Sequence, residues 1–273
     1  MSITWHPDPV AFHLGAFPIR WYGLLYAIGF WSAYLIFERI MLLEGKTRDQ
    51  ARQILLCMIG GTAIGGRLGH CFFYHPAEYW AHPTRILDFR DGGNSSHGAT
   101  LILILAILVY SRIARIGFRW LCDRLCVAIA LAAAFVRLGN MMNSELVGIP
   151  TCDAWGVMFL RVDSIPRHPA VLYEATILLL ILTLMLWLYF RTTCKNAPGR
   201  LWGIFFILVF GARFFVDFYK AAEPAISVPI PLAITQLLCF PCLIFGMGLV
   251  GWSLRIARNT PTETPSAAIA NAP

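Results

Sequence analysis

Seven apolar runs dominate this chain, at about 18–43, 53–74, 97–111, 120–142, 170–190, 200–219 and 230–254. Most approach the roughly 20 residues that a helix needs to cross a bilayer. In hydrocarbon, every backbone N–H and C=O of such a run must be satisfied within the segment, which leaves helices as the form each run can take. Composition agrees: 58% of the 273 residues are hydrophobic and 14% charged, with a mean hydropathy of +0.64, whereas a soluble domain carries about 25% charged residues. The predicted fold is an all-α polytopic membrane protein of about seven transmembrane helices. Residues 1–258 form one transmembrane domain whose longest connection is the 143–169 loop, and the Pro/Thr/Ala-rich stretch 259–273 reads as a disordered tail. The third run is short, and the polar stretch Asp91-Gly92-Gly93-Asn94-Ser95-Ser96-His97-Gly98 leads into it. Such a start below the membrane surface is tolerated where protein or water surrounds the backbone.

The net charge of +7 is distributed as a topology signal and not as a nucleic-acid footprint. Thirteen Lys and Arg residues flank the first, third and fifth connections and follow the last span; six lie on the opposite side. The excess on one side places the N-terminus outside and the C-terminus in the cytoplasm. Met1 to Phe17 has neither the basic nor the apolar region of a cleavable signal, so none is expected. Most of the eight cysteines lie in apolar runs, where Cys behaves as a small hydrophobe. Cys239 and Cys242 form a C-x-x-C with no second pair and no nearby His, short of the four ligands of a structural zinc site. No metal and no cofactor is expected.

Three arginines remain, Arg67, Arg137 and Arg213, inside the second, fourth and sixth runs. An intramembrane Arg costs a few kcal/mol even on a lenient insertion scale, so each needs a partner or a task. A purely structural solution exists for Arg213, which stands four residues from Asp217 and could pair with it along one helix face. The alternative is ligand binding. All three fall toward the outer ends of their spans, level with Tyr22 and Gly23 at the start of the first span and His97 at the start of the third. All seven histidines map to that same side. Guanidinium binds phosphate as a fork and His exchanges protons near neutral pH, so the pattern points to chemistry on an anionic lipid headgroup in the outer leaflet. Gly60, Gly61, Gly65, Gly66 and Gly69 line the second span, for close helix packing or for exposing backbone to a ligand.

Several longer stretches carry a family resemblance. They are HPDPVAFHLGAFPIRWYGLLYAIGF near the start, GGRLGHCFFY, DGGNSSHG, RLGNMMNSELVG, RHPAVLYEA, GARFFVDFYK and TQLLCFPCLI. In this order, up to about residue 245, the chain resembles prolipoprotein diacylglyceryl transferase, a bacterial inner-membrane family. The combination of RLGN-x-x-N-x-E-x-x-G with RHP-x-x-LYE is its most specific part. The resemblance implies a multi-pass enzyme that moves diacylglycerol from phosphatidylglycerol to the cysteine thiol of a prolipoprotein lipobox, releasing glycerol phosphate. Its implied partners are that lipid, the lipobox segment and the bilayer. Carried onto this chain, the family's signature Arg and Asn are Arg137 and Asn140, followed by Asn143, Glu145 and Gly148. Its proposed catalytic His is His97, its second essential Arg is Arg213, and its helix-one Tyr is Tyr22. Arg67, Arg167, His168, Tyr173, Glu174 and Gln236 also fall on family motifs.

The implied roles follow from chemistry. His97 would take the thiol proton, Arg137 and Arg213 would stabilise charge on the departing phosphate, and Tyr22, Asn140 and Asn143 would orient the headgroup. Glu145 would position Arg137, and Glu174 reads as a buried carboxylate paired with an Arg. The chain departs from the family around His97, where Asn94, Ser96 and Ala99 replace the Met, Phe and Gly of a GGMSFHGG loop. It also has Ser144 for Gly, Val147 for Trp, and Lys220-Ala221 in place of Arg-x-Pro-Asp. The changed loop keeps open a non-catalytic relative that binds lipid or lipoprotein precursors. A transporter fits less well, because neither repeat symmetry nor midplane acidic residues are visible.

Overall fold

The structure is a computed structural model, describing residues 3–74, 76–87, 95–221 and 233–259, apart from the side chains of 73, 74, 87, 96, 97, 234 and 257–259. The polar approach at 91–94 and the tail from 260 lie outside the described residues. Helices α1 (Trp21–Leu43), α2 (Arg48–Gly69), α3 (Pro76–Ala81), α4 (Ser96–Ile113), α5 (Phe118–Met142), α6 (Ala170–Arg191), α7 (Arg200–Val216), α8 (Ile234–Leu237) and α9 (Cys239–Asn259) follow in order. Among the described residues six spans are long and apolar enough to cross a membrane, and Gly98–Ile113 in α4 is a shorter apolar helix. The protein is a multi-pass membrane protein of mostly helical fold.

The spans depart from the sequence reading in three places, two of them with a local cause. The first helix begins at Trp21, because Phe17–Arg20 (β3) pairs antiparallel with Val10–Leu14 (β2) in a hairpin turning at Gly15, whose φ is +62°. The second span ends in a π-helical turn, His70–Tyr74. The seventh is interrupted at Leu238, between α8 and α9. Pro241 has no N–H to give the Leu237 carbonyl and its ring would clash with it, so a continuous helix cannot run through.

Two compact units make up the described chain. One is formed by residues up to Gly29 together with those from Ile129 onward; the other is Phe30–Ala128. In the second unit, Thr47 and Gln50 cap α2 reciprocally, at 3.2 and 3.1 Å. The crossing of α2 and α4 depends on glycine. A Cβ on Gly65 would come within 2.6 Å of the Gly98 carbonyl oxygen, and one on Gly98 within 2.3 Å of the Gly65 oxygen. Below this crossing in sequence, Arg124 is clamped by both oxygens of Glu44 at 2.8 and 2.9 Å and lies over Trp120 at 4.5 Å.

In the first unit α7 and α9 also cross at glycine: a Cβ on Gly203 would meet the Gly246 oxygen at 2.7 Å. The segment expected to be a plain loop, 143–169, instead builds a small sheet. Strand β1 (Ile3–Trp5) pairs parallel with β4 (Val157–Phe159), and β4 pairs antiparallel with β5 (Pro166–Arg167). Met141, Val157, Phe159 and Val171 form a buried cluster under it, with Trp5, Val147 and Leu172 packed around and the Trp5 indole donating to the Met141 carbonyl at 2.9 Å.

Candidate active site

The C-terminal turns of α5 carry Arg137 and Asn140 three residues apart, hence on one face. Beyond Met142 the chain doubles back through Ser144 and Leu146, both in the left-handed region at φ +56° and +54°. That turn brings the Glu145 carboxylate over the helix end, where it accepts from Asn140 Nδ2 at 2.8 Å and from Asn143 Nδ2 at 3.1 Å. Asn140 in turn accepts from Arg137 Nη1 through a long contact of 3.3 Å. Tyr22 packs on the same stretch: a Cβ on Gly139 would lie 2.9 Å from its Cδ2.

Glu145 was expected to position Arg137, but the carboxylate that holds this Arg is Glu174, whose Oε2 lies 2.9 Å from Arg137 Nε. Glu174 is buried in the first turn of α6, as expected for a carboxylate paired with an Arg. Its second oxygen, Oε1, lies 2.6 Å from Lys220 Nζ, which is also 3.1 Å from Asp217 Oδ1. Among the described residues Arg137 Nη2 has no hydrogen-bond partner, so the guanidinium is held by one edge with its terminal nitrogens under-used.

Gly148 sits where the chain is squeezed between two other segments, bridged to Lys220 on one side. A Cβ there would come within 2.3 Å of the His168 carbonyl oxygen and 2.6 Å of that of Tyr219. Its N–H donates to His168 at 3.0 Å, and the next N–H, of Ile149, donates to Tyr219 at 2.9 Å. This threading extends β5 toward the end of α7. Arg167 is fully engaged in holding it: Nη1 donates to the Gly148 carbonyl at 3.1 Å, while Nε and Nη2 grip Asp163. The Arg167 guanidinium holds the Asp163 carboxyl below its ordinary value. Beside them, His168 Nδ1 and the Trp155 indole each lie 3.1 Å from the Tyr173 hydroxyl, and the His168, Tyr173 and Tyr219 rings pack edge to face.

Arg213, near the end of α7, is half-buried and has no ion-pair partner among the described residues. The structural pairing considered for it does not form; Asp217 Oδ1 lies 3.1 Å from Lys220 Nζ instead. Gln236 is buried for a different purpose. It accepts from the Ala233 N–H at 2.9 Å and donates to the Phe214 carbonyl at 3.2 Å, tying α8 to α7.

In the other unit, Arg67 is only 3% exposed, and its guanidinium donates to the carbonyls of Arg85 at 2.7 Å and Ile86 at 3.0 Å while lying over Tyr79 at 5.2 Å. It secures the 76–87 connection. His97 lies in the first turn of α4, just past Ser95, whose hydroxyl caps the helix by accepting from the Gly98 N–H at 3.3 Å; the His97 side chain lies outside the described residues. Gly61, Gly65 and Gly69 face α4 at close range and act as packing positions, whereas Gly60 faces open space.

Within the first unit, therefore, Tyr22, Arg137, Asn140, Asn143, Glu145 and Glu174 form one neighbourhood, with Gly148, Arg167, His168 and Tyr173 building its frame. The sequence reading placed neither Lys220 nor Asp217 among the site residues and offered Asp217 only as a possible partner of Arg213. The i, i+3 spacing of an Asp and a Lys directly after an apolar run was the available signal. Among the described residues, no group of three or more His, Cys, Asp or Glu is placed to hold a metal ion.

Comparison with known proteins bears on what this arrangement serves. The family model for prolipoprotein diacylglyceryl transferase matches residues 9–252. A phosphatidylglycerol–prolipoprotein diacylglyceryl transferase of Tolumonas auensis is 40% identical over 249 residues, covering 91% of this chain and 96% of that protein. One of the same name from Chloroherpeton thalassium is 38% identical over 262 residues, 96% of this chain and 98% of its own. Another, from Gluconobacter oxydans, is 37% identical over 254 residues, 91% and 93%. With near-complete coverage on both sides and a matched segment that reaches from ahead of the first span into the last, the chain belongs to the prolipoprotein diacylglyceryl transferase family.

Proposed function

We propose that this protein transfers the diacylglyceryl group of phosphatidylglycerol to the lipobox cysteine thiol of prolipoproteins, forming a thioether and releasing glycerol phosphate. The observation that carries this reading is the state of Arg137: one edge held by a buried carboxylate, the terminal nitrogens under-used. A guanidinium so placed presents a fork to a phosphate, and its orientation is set before the substrate arrives. Family membership supplies the substrate class.

The thiol sulfur attacks the glycerol carbon that bears the phosphate ester. The C–S bond forms as the C–O bond breaks, and the phosphate leaves with the electron pair. Arg137 meets the growing negative charge, with Arg213 as a second half-buried cation on the same unit and Tyr22, Asn140 and Asn143 orienting the headgroup. A free thiol has a pKa of about 8.5, so attack at neutral pH requires a base or a local cation. His97 is the proposed base, on its match to the family motif, and the thiol proton goes to its imidazole.

The proposed setting is the bacterial inner membrane, with the N-terminus outside, the C-terminus in the cytoplasm and the active site facing the outer leaflet. The thirteen-to-six bias of Lys and Arg supports it. Incubating the purified protein with phosphatidylglycerol and a lipobox peptide should yield a diacylglyceryl adduct by mass, and His97→Gln should lower the rate by about 10² to 10⁴ while lipid binding persists. Saturable lipid binding without adduct from the wild type would instead identify a lipid-binding relative. Reporter fusions at 44–52 and at 260 should both read cytoplasm; a periplasmic signal at either overturns the orientation.

A further inference from the structure

Four charges alternate through the end of the first unit: Arg137, Glu174, Lys220 and Asp217. Glu174 gives one oxygen to each cation, Oε2 to Arg137 Nε at 2.9 Å and Oε1 to Lys220 Nζ at 2.6 Å, and Lys220 reaches Asp217 Oδ1 at 3.1 Å. Both carboxylates are buried, and the Lys220 side chain is 14% exposed. Its backbone is pinned as well, in a bridge to Gly148, with the following N–H of Ala221 donating to the Val147 carbonyl at 3.1 Å. This is not a mobile surface lysine.

Resting on the transferase reading above, we propose that Lys220 is a positioning residue for Arg137, acting through Glu174. A buried carboxylate facing a single guanidinium turns both oxygens onto it, making the bidentate fork such pairs favour. That geometry would consume a terminal nitrogen of Arg137. Lys220 competes for the second oxygen and confines Glu174 to the Nε edge, which leaves Nη2, and the N–H of Nη1 not given to Asn140, for the phosphate. An ammonium suits the task, because its three donors radiate from one atom and reach two carboxylates at once. Asp217 completes the arrangement by holding the ammonium from its other side.

The test is steady-state transfer by the full-length protein, with phosphatidylglycerol vesicles and a lipobox peptide, for wild type, Lys220→Met, Lys220→Arg, Arg137→Ala and the double variant. Lys220→Met should lower kcat/KM for the lipid by about tenfold or more, through kcat as well as KM, because the diverted contact is the one that meets charge growing on the phosphate. Lys220→Arg should recover most of the loss. In the Arg137→Ala background, Lys220→Met should cost less than about twofold, since residues acting through one another are not additive. An unchanged kcat/KM in Lys220→Met, or the same fold loss with and without Arg137, overturns the proposal. If Lys220→Met fails to fold, Lys220→Gln keeps hydrogen bonding without the charge and carries the same expectations. A wild type that makes no adduct sinks the transferase reading itself, and this role with it; an active wild type with an indifferent Lys220 sinks this role alone.

Discussion

Arg67 and Arg137 stand at corresponding places, each near the C-terminal end of an apolar helix, yet they are used in opposite ways. Arg67 at the end of α2 spends its guanidinium on two backbone carbonyls and a tyrosine face, and almost none of it is accessible. Arg137 at the end of α5 is held along one edge by Glu174 and keeps its terminal nitrogens under-used. Charge is the same in kind; what differs is access, the Arg137 side chain being 21% exposed, and who occupies the donors. A guanidinium has five N–H donors, and an apolar span tolerates it only when they are occupied. Where protein fills them the residue is a structural tie. Where they are left to a ligand, it is a binding site. Arg167 makes the same point outside the spans, since Asp163 and the Gly148 carbonyl engage all three of its nitrogens.

The comparison breaks most readily at Arg137. Arg137→Ala should cost about 3 kcal/mol of transition-state stabilisation, roughly a hundredfold in rate. Arg137→Lys should fare little better, because an ammonium cannot reproduce a fork. Near-normal transfer by a folded Arg137→Ala protein would put Arg137 in the same class as Arg67.

Arg67→Met should show the converse pattern. It leaves the Arg85 and Ile86 carbonyls without their donors, a loss of about 1–3 kcal/mol that reads as a lower Tm in detergent. The rate of the remaining folded protein should change far less than in Arg137→Ala. A hundredfold rate loss at unchanged Tm would make Arg67 a ligand contact.

The glycine crossing in the same unit should respond similarly. Gly98→Ala drives a methyl toward the Gly65 oxygen, which is backbone and cannot step aside, so about 1–3 kcal/mol of overpacking is expected. Thermal unfolding measures it; an unchanged Tm would mean that the two helices separate freely.

The smallest effect belongs to Asp163. Its carboxyl is depressed below the ordinary value of 3.8, first by the hydrogen bond from Arg167. The pair's contribution is therefore fully present above the unfolded carboxyl value and is lost as the pH falls through the lower folded value. Asp163→Asn should remove that acid-dependent part of stability and leave transfer at neutral pH near wild type. Because the pair lies near the surface, the change should be slight and should shrink with salt.

Much of the helical architecture was legible because hydropathy alone specifies it: about 20 apolar residues in a row have one stable form in a bilayer. The site was legible in its residue types. Arg137 and Arg213 stand out as cations in apolar runs, and RLGN-x-x-N-x-E-x-x-G together with RHP-x-x-LYE marks Asn140, Glu145, Gly148 and Glu174. The small sheet was not legible. Its strands are two to three residues long, and β1 pairs with β4 more than 150 residues away, so no local periodicity announces it.

What the sequence by itself determined is a membrane-spanning helical chain with a family's polar residues at the ends of its spans, because apolar length and motif identity are properties of contiguous residues. What only the tertiary structure decided is the pairing. Sequence spacing allowed Arg213 to pair with Asp217, and the family motif suggested Glu145 for Arg137, whereas in space Asp217 goes to Lys220 and Arg137 to Glu174. The physical reason is that a buried charge takes whichever partner the folded chain brings within about 3 Å: for Arg137 that is a carboxylate on a separate helix, and for Asp217 a lysine three residues on whose ammonium Glu174 also holds.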